Sequence, residues 1–569
     1  MQGLTRVWEK PFQIKSTMEL AKRILSARGV DSLEEQRFFL DPKLSMLEDP
    51  SELPGADTAA GILCKHIRAG KKVLIYGDYD ADGITASTIL YHVIATATKK
   101  EGPLIYIPSR INEGYGINPE AIERFANDGI DLVVSVDCGV TAVEAAEKAK
   151  ELGLTLIITD HHKPRDDGKL PDCAAIVHPG LEIEPKTLFA GVGVAYQLAW
   201  AFAREWSGSQ QVTKELSQCL LDMLPFVAIG TIADMVPLKN GNRILARWGL
   251  QLLPSTTNAG LLAIMKQLDT PKIKLNSAHI SFGIAPLINA VGRLANAAKA
   301  VDLLTHLEGE LAESAAKELA ELNRKRQKVQ RDIIESAMEK IEQDKLYKNK
   351  IIILQNDEWN RGVVGVAAGK CIETHYRPTI LLSGDGDALV GSARSIAGFS
   401  IFDALSSCEE LLLKFGGHDM AAGLSIAREN FDPFVAAITA YANEHIKSEQ
   451  LVKTVKPDVE AALDELDYAT AVEIEKLGPF GIGNPTPIVQ LTDVKVDGVS
   501  VMGGGGAHMS LQIGSTSSRI RCVWWNNGIH ASKIQRGMHI DVVGKIKVNE
   551  FRGNRTAELD VLDIALPSS

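Results

Sequence analysis

The chain lacks any continuous apolar run near the roughly 18 residues a bilayer-spanning helix needs, so a membrane-spanning reading fails. Its first residues, MQGLTRVWEKPFQIKS, hold no apolar core and no small-residue cleavage site; no secretory signal is expected, and the cytoplasm is the default location. No CxxC pair occurs among the seven cysteines (Cys64, Cys138, Cys173, Cys219, Cys371, Cys408 and Cys522). The odd total and wide scatter fit reduced core thiols better than a disulfide framework or a zinc knuckle. An excess of positive charge is missing too: at a net charge of −11 the molecule is no general binder of polyanions. No repeat appears, and low complexity is confined to GGGG at 503 to 506.

What is present is an ordinary globular composition, 45% hydrophobic and 23% charged. A length of 569 residues predicts about three to four domains. Between 71 and 178 short apolar runs (KKVLIY, PLIYIP, DLVVSV, LTLIIT, AAIVHP) alternate with amphipathic stretches (ITASTILYHVIA, INPEAIERFAN, TAVEAAEKAK). That pattern predicts an α/β domain with a parallel sheet covered on both faces. A helical region follows over about 187 to 305. Residues 308 to 345 hold neither Gly nor Pro after Gly309 and predict one long helix, whose cluster Arg324, Lys325, Arg326, Lys328 and Arg331 reads as a solvated face. A second α/β segment runs from KIIILQ to about 447, and the rest reads as a small β-barrel of the OB type. Within it, Ser510 to Arg555 carries eight Lys or Arg against Asp541 and Glu550, a net of +6.

The stretch GDYDADG places Asp78, Asp80 and Asp82 directly after an apolar strand. Crowding like charges there is costly unless a cation neutralises them. Asp137 follows DLVVSV, and Asp160, His161 and His162 follow LTLIIT. For any one Asp, a turn or helix N-cap is the commoner role. In a doubly wound sheet, however, the strand C-terminal ends share one crevice, so these groups are expected to converge. Oxygen-rich ligation with a minority of imidazole favours Mg²⁺ or Mn²⁺, with Mn²⁺ preferred, and several carboxylates suit a pair of ions. Two such ions are suited to phosphoester or phosphoanhydride hydrolysis. Arg110, at the end of PLIYIP, should point into the same crevice and fork onto phosphate oxygens.

GDYDADG, VDCG, DHH and IADMVPL, in that order, resemble the motifs of the DHH phosphoesterases. With PLINAVGR, GSARS and FGGHDMAAG added, nearly the whole chain resembles the RecJ branch of that family, bacterial single-strand-specific 5′→3′ exonucleases acting in repair and recombination. The resemblance implies a DHH catalytic domain with an N-terminal extension over 1 to 306, a connecting helix over 307 to 345, a DHH-associated substrate-binding domain over 346 to 447 and an OB-like single-strand-binding domain over 448 to 569. It implies Asp80, Asp82, Asp137, His161 and Asp234 as metal ligands, Asp137 bridging two ions, and Asp78 as a ligand or a supporting acid. His162 then faces the scissile phosphate and Asp160 orients a histidine. Asn289, Arg293, Ser392, Arg394 and His418 match substrate-binding positions, Ser392 and Arg394 taking the 5′-phosphate. For each arginine a surface salt bridge is the bland alternative; for the glycines and alanines of FGGHDMAAG it is close helix packing.

Single-strand selectivity is implied to come from a passage too narrow for duplex, with Tyr115, and less so Phe399, as stacking aromatics. Arg519, Arg521, Lys545, Lys547, Arg552 and Arg555 are expected to track a phosphate backbone. Trp524 and Trp525, being neighbours, cannot both face inward on a regular strand. The implied partners are single-stranded DNA with a 5′ end, a single-stranded-DNA-binding protein and a RecQ-type helicase, with no membrane and a monomeric chain. IVHPG departs from the expected pattern, with His178 where Asn is expected, and no role is assigned to it. Three other functions compete: a DHH hydrolase of small phosphates, a non-enzymatic scaffold of the same superfamily, and a plain single-strand-binding module.

Overall fold

The computed structural model describes residues 1–12, 18–109, 113–114, 116–268, 275–294, 297–514 and 518–567, with the side chains of 293, 294 and 385 left undescribed. The chain divides into two compact units: one is Ser32–Asn323 with Lys476–Thr486, the other Met1–Asp31 with Arg324–Glu475 and Pro487–Ser569. The first thirty-one residues therefore group with the carboxy-terminal half, not with the sheet that follows them.

In the first of these units β1 (Val73–Gly77), α1 (Ala81–Thr98), β2 (Leu104–Tyr106), α2 (Pro119–Asn127), β3 (Leu132–Val136), α3 (Val143–Glu151), β4 (Thr155–Thr159) and β5 (Ala175–Val177) alternate as the apolar runs predict. The strands pair in parallel in the order β2-β1-β3-β4-β5. Their near-continuous apolar character follows from burial on both faces. Ile75, Val134 and Ile157 pack with α1 and the helical layer, while Leu74, Val133 and Ile158 pack on the other side against Ile122, Phe125 and Ala146. The register levels the strand ends: Gly77 pairs with Val136, Val136 with Thr159 and Thr159 with Val177. Asp78, Asp137, Asp160 and His178 each stand one residue beyond that row.

The helical layer includes α4 (Gly191–Ser207), α5 (Lys214–Ala233), α6 (Asn240–Leu252) and α7 (Ala285–Leu294). By length and composition α5 alone, among the described residues, is apolar enough to cross a membrane, but 72% of its most apolar window is buried inside the unit. It is a core helix, contributing Leu224, Phe226, Val227 and Ile229. The predicted long helix is α8 (Gly309–Gln343). Its amino-terminal half places Ala312, Ala316 and Leu319 in the core of the sheet-bearing unit. Its carboxy-terminal half places Ile333, Ala337 and Ile341 in a core of the other. Arg324, Lys325, Lys328 and Arg331 are exposed, as a solvated face requires, and Arg326 is half-buried.

In the other unit β6 (Ile352–Gln355), α9 (Val364–His375), β7 (Thr379–Asp385), β8 (Ala388–Arg394), β9 (Leu412–His418) and β10 (Ala421–Ala427) form a second sheet in the order β9-β10-β8-β7-β6, antiparallel except for the β6–β7 pair. FGGHDMAAG is thus a hairpin, not a pair of packed helices. The carboxy-terminal strands are β11 (Val489–Met502), β12 (His508–Gly514), β13 (Arg519–Trp524), β14 (His539–Phe551) and β15 (Asn554–Ala565). They pair in the order β11-β12-β13-β15-β14, and a β11–β14 pairing closes the ring. The result is a five-stranded barrel. Asp563, fully buried, holds the amino-terminal segment to it by accepting from Trp8 Nε1 (2.8 Å), Thr5 N (3.0 Å) and Arg6 N (3.0 Å).

Candidate metal centre

Beyond the levelled strand ends the chain gathers carboxylates and imidazoles into three overlapping sets: Asp78, Asp80 and Asp137; Asp82, His161 and Asp234; and Asp137, His161 and His162. In each set one ligand atom per residue lies within 4.8 Å of the others. Asp80 meets the N-cap expectation as well, its Oδ1 accepting from Asp82 N (2.9 Å) and Gly83 N (3.1 Å) at the start of α1. Asp82, in the first turn of α1, accepts from Gly191 N (2.7 Å) and Val192 N (2.9 Å), the first amides of α4. Asp234 is the C-cap of α5. Asp137 takes a left-handed backbone conformation (φ 63°), a strain concentrated at functional positions.

Two glycines without any motif of their own make room for the acids. A β-carbon on Gly191 would lie 2.3 Å from Asp137 Oδ1, and one on Gly230 would lie 2.6 Å from Asp82 Oδ1. Nothing in the isolated sequence marks either; only the fold brings them against the carboxylates.

The electrostatics are those of a cation site. Burial, then repulsion from Asp234 and Asp80, raises the Asp82 carboxyl well above its ordinary range. Burial, then Asp82 and Asp80, does the same to Asp137. Asp234 is pushed up to about 7 by burial and Asp80. Burial and the neighbouring His162 push His161 down to about 3, leaving the neutral imidazole a metal requires. Its buried Nε2 makes no hydrogen bond, yet faces Asp137 Oδ1 at 3.1 Å, Asp234 Oδ2 at 3.6 Å and Asp82 Oδ2 at 3.8 Å. Carboxylate oxygens around one imidazole nitrogen fit Mn²⁺ or Mg²⁺.

Asp160 is occupied differently. Its Oδ1 accepts from His161 N (2.7 Å), His162 N (3.1 Å) and His162 Nδ1 (2.8 Å), and its Oδ2 from Val140 N (2.8 Å). Burial opposes its ionisation, but His162 and these amides outweigh burial and hold it at about 2. Burial likewise opposes a charge on His162, but Asp160 outweighs it and raises the imidazole to about 9. His178, buried, accepts from Gly180 N through Nδ1 (2.9 Å), and its Nε2–H donates to the carbonyl of His162 (2.8 Å).

Asn289 Oδ1 accepts from Ala81 N (2.7 Å), fixing the start of α1. Arg110 and Tyr115 lie outside the described residues, as does the side chain of Arg293. In the other unit Ser392 pairs across the sheet with Gly423, and Gly423 with Gly416. Neither glycine has side-chain atoms above it within 4 Å, so a strip of bare backbone adjoins Ser392. Arg394 pairs with Ala421, and Ala421 with His418, at one end of the same strands. Phe399 is buried in the core, the commoner fate of an aromatic.

In the barrel, most of the basic residues have carboxylate partners. Arg519 pairs with Asp497 (2.5 Å), Arg521 with Glu558 (2.6 Å), Lys547 with Glu558 (3.3 Å) and Arg555 with Glu550 (3.1 Å). Lys545 faces Asp560 in the register, and Arg552 covers the ring of Phe551. Trp524 is buried against His530, whereas Trp525 is 46% exposed, with His508 at its edge and Lys547 above it. The glycine run turns between β11 and β12 with positive φ at Gly503, Gly505 and Gly506, and Gly506 O abuts Gly528 too closely for a β-carbon there.

Family models match three segments: the DHH family N-terminal domain over 72–225, the DHHA1 domain over 348–444 and the RecJ OB domain over 457–563. The chain is 37% identical over 552 residues to the single-stranded-DNA-specific exonuclease RecJ of Bacillus subtilis, covering 96% of this chain and 68% of that one. It is 31% identical to the same exonuclease of Escherichia coli, covering 96% and 95%. Among solved structures it is similar to RecJ of Thermus thermophilus in complex with Mn²⁺, with a TM-score of 0.81 and 28% identity over 99% of this chain and 80% of that one.

Proposed function

The chain belongs to the RecJ family of single-stranded-DNA-specific exonucleases, and from that premise we propose that it removes mononucleotides from the 5′ end of single-stranded DNA, with Asp80, Asp82, Asp137, His161 and Asp234 holding Mn²⁺ or Mg²⁺. The observation that carries the assignment is the buried His161 Nε2 facing three carboxylate oxygens. Asp78 supports the cluster from the end of β1. When bound, a pair of divalent ions neutralises these acids, lowers the pKa of an attacking water and offsets charge on the phosphoryl oxygens.

The remaining roles belong to the chain itself. His162, held as an imidazolium by Asp160, places positive charge beside the scissile phosphate and has a proton for the leaving 3′-oxygen. Asn289 has its amide nitrogen to offer a phosphate while its oxygen fixes α1. Ser392, Arg394 and His418 receive the 5′-phosphate end beside a strip of bare backbone, and Arg110, Arg293 and Tyr115 act on the substrate near the cut. Trp525 stacks a base farther along, with Lys547 and Arg521 near the backbone phosphates. A single-stranded-DNA-binding protein and a RecQ-type helicase are the proposed partners of a cytoplasmic monomer.

The test uses 5′-labelled single-stranded and duplex oligonucleotides with and without Mn²⁺. Label leaving as mononucleotide from single strands only, and only with metal, is the expected result. Equal loss from both strand states, attack from the 3′ end, or no degradation would overturn the reading. Asp137→Ala should abolish turnover while single-strand binding, read by fluorescence anisotropy, persists.

A further inference from the structure

We propose that His178 is a positioning residue, a clamp on the main chain of the His161–His162 pair that sets the aim of both imidazoles into the carboxylate cluster. The inference rests on the metal-dependent cleavage proposed above. His178 follows β5 directly, one residue beyond the levelled strand ends as Asp137 and Asp160 are, so the sheet itself delivers it beside the histidine loop. The ring is buried and both of its nitrogens are engaged. Because Gly180 N–H donates to Nδ1, the ring proton sits on Nε2, and the only bond a carbonyl can make to that nitrogen is as acceptor. Nε2–H therefore donates to the His162 carbonyl at 2.8 Å.

Asp160 holds the same two residues through both of their peptide N–H groups and the His162 ring. The two-residue segment is thus gripped at its amides from β4 and at its carbonyl from β5. A rigid imidazole suits this bridge because it carries an acceptor on one side and a donor on the other. Asparagine at 178 retains an acceptor for Gly180 N–H but is too short to reach the His162 carbonyl. Glutamine carries an N–H at nearly the reach of Nε2.

The experiment compares His178→Ala, His178→Asn and His178→Gln in the full chain. Turnover and KM are measured on single-stranded oligonucleotide at saturating Mn²⁺, Mn²⁺ affinity by electron paramagnetic resonance of the free ion, and folding by thermal melting. Supporting groups around metal-bound histidines change affinity or activity by about 10- to 100-fold. The Ala and Asn variants should lose kcat or Mn²⁺ affinity in that range with KM for DNA nearly unchanged, and Gln should restore most of both. Full activity in Ala or Asn, or a Gln variant as impaired as Ala, overturns the clamp. Selective ¹⁵N-histidine spectra of the parent protein supply a readout free of any variant: His178 should show a protonated Nε2 and an unprotonated Nδ1, and the opposite tautomer overturns it. Normal turnover in Asp137→Ala would instead defeat the underlying metal assignment, so the two failures are distinct.

Discussion

Gly191 passes so close to Asp137 that a β-carbon placed on it would fall 2.3 Å from the carboxylate Oδ1 and 2.6 Å from its Cγ. Any side chain there displaces the acid, the α4 amides that hold Asp82, or both. Gly191→Ala should lower kcat by about 100-fold, the scale expected of a misplacement near 1 Å, and weaken Mn²⁺ binding in an equilibrium titration. Gly61→Ala is the control: this glycine lies inside the helix Ala56–Arg68 with open space around it, and the change should raise stability by ~0.5–1 kcal/mol without touching turnover.

Metal uptake should release protons. Asp82 and Asp137 are raised well above the ordinary carboxylate range and Asp234 to about 7, so the metal-free site holds protons that a cation must displace. Apparent Mn²⁺ affinity should climb with pH through about 7, where Asp234 ionises. Calorimetry in buffers of differing ionisation enthalpy should count more protons released at low pH than at high. Since the folded metal-free chain binds protons that the unfolded chain loses above about pH 4, the stability contributed by Asp234 falls as pH rises from there through about 7, and the raised Asp82 and Asp137 act in the same direction. An apparent affinity flat from pH 5 to 8 would contradict this.

The two adjacent tryptophans should separate cleanly. Trp524, 2% exposed, lies in the barrel core, and Trp524→Ala should cost about 3–5 kcal/mol of stability by denaturant melting. Trp525→Ala should leave the melt almost unchanged and cost about 1–3 kcal/mol in single-strand affinity, the range of one stacked base. Loss of affinity in neither variant would remove Trp525 from the DNA path.

Glu558 is nearly buried between Arg521 and Lys547 and pairs with both, Lys547 also lying 3.9 Å from Asp560. Glu558→Gln should lower the melting temperature but release positive charge. Single-strand affinity at low salt should rise, and the slope of log affinity against log salt should steepen by about 0.7 for each additional phosphate neutralised. An unchanged slope would mean that these two cations do not face the strand.

The strand-and-helix alternation was legible because a strand buried on both faces must be apolar along its length, and three of the five runs lead directly into the clustered acids and histidines. The acids and histidines could be grouped because a parallel sheet puts its carboxy ends together. Gly191 and Gly230 were not legible: a missing side chain is informative only once the neighbour that needs the space is known. The ion pairing of the barrel's cations was not legible for a similar reason. Arg521 and Lys547 stand out as cations in their own strands, but the carboxylate that binds both lies on β15 and becomes their neighbour only through cross-strand register. Alternation could say that Trp524 and Trp525 face opposite ways, but which way needed the closed barrel. The small residues of FGGHDMAAG suggested helix packing because strand and helix both tolerate them; their bare strip beside Ser392 is a property of the hairpin.

The β11–β14 pairing completes the barrel's ladder of main-chain hydrogen bonds. Over Val489–Lys495 that closure occupies one edge of β11, and the chain's own Val459–Glu460, running parallel to Val489–Gln490, takes up the other edge there, so a foreign polypeptide finds that stretch of backbone already paired. Recognition of the barrel by a visiting protein would then fall to exposed apolar side chains such as Trp525, Phe551 and Ile529, and would be sensitive to point changes at them.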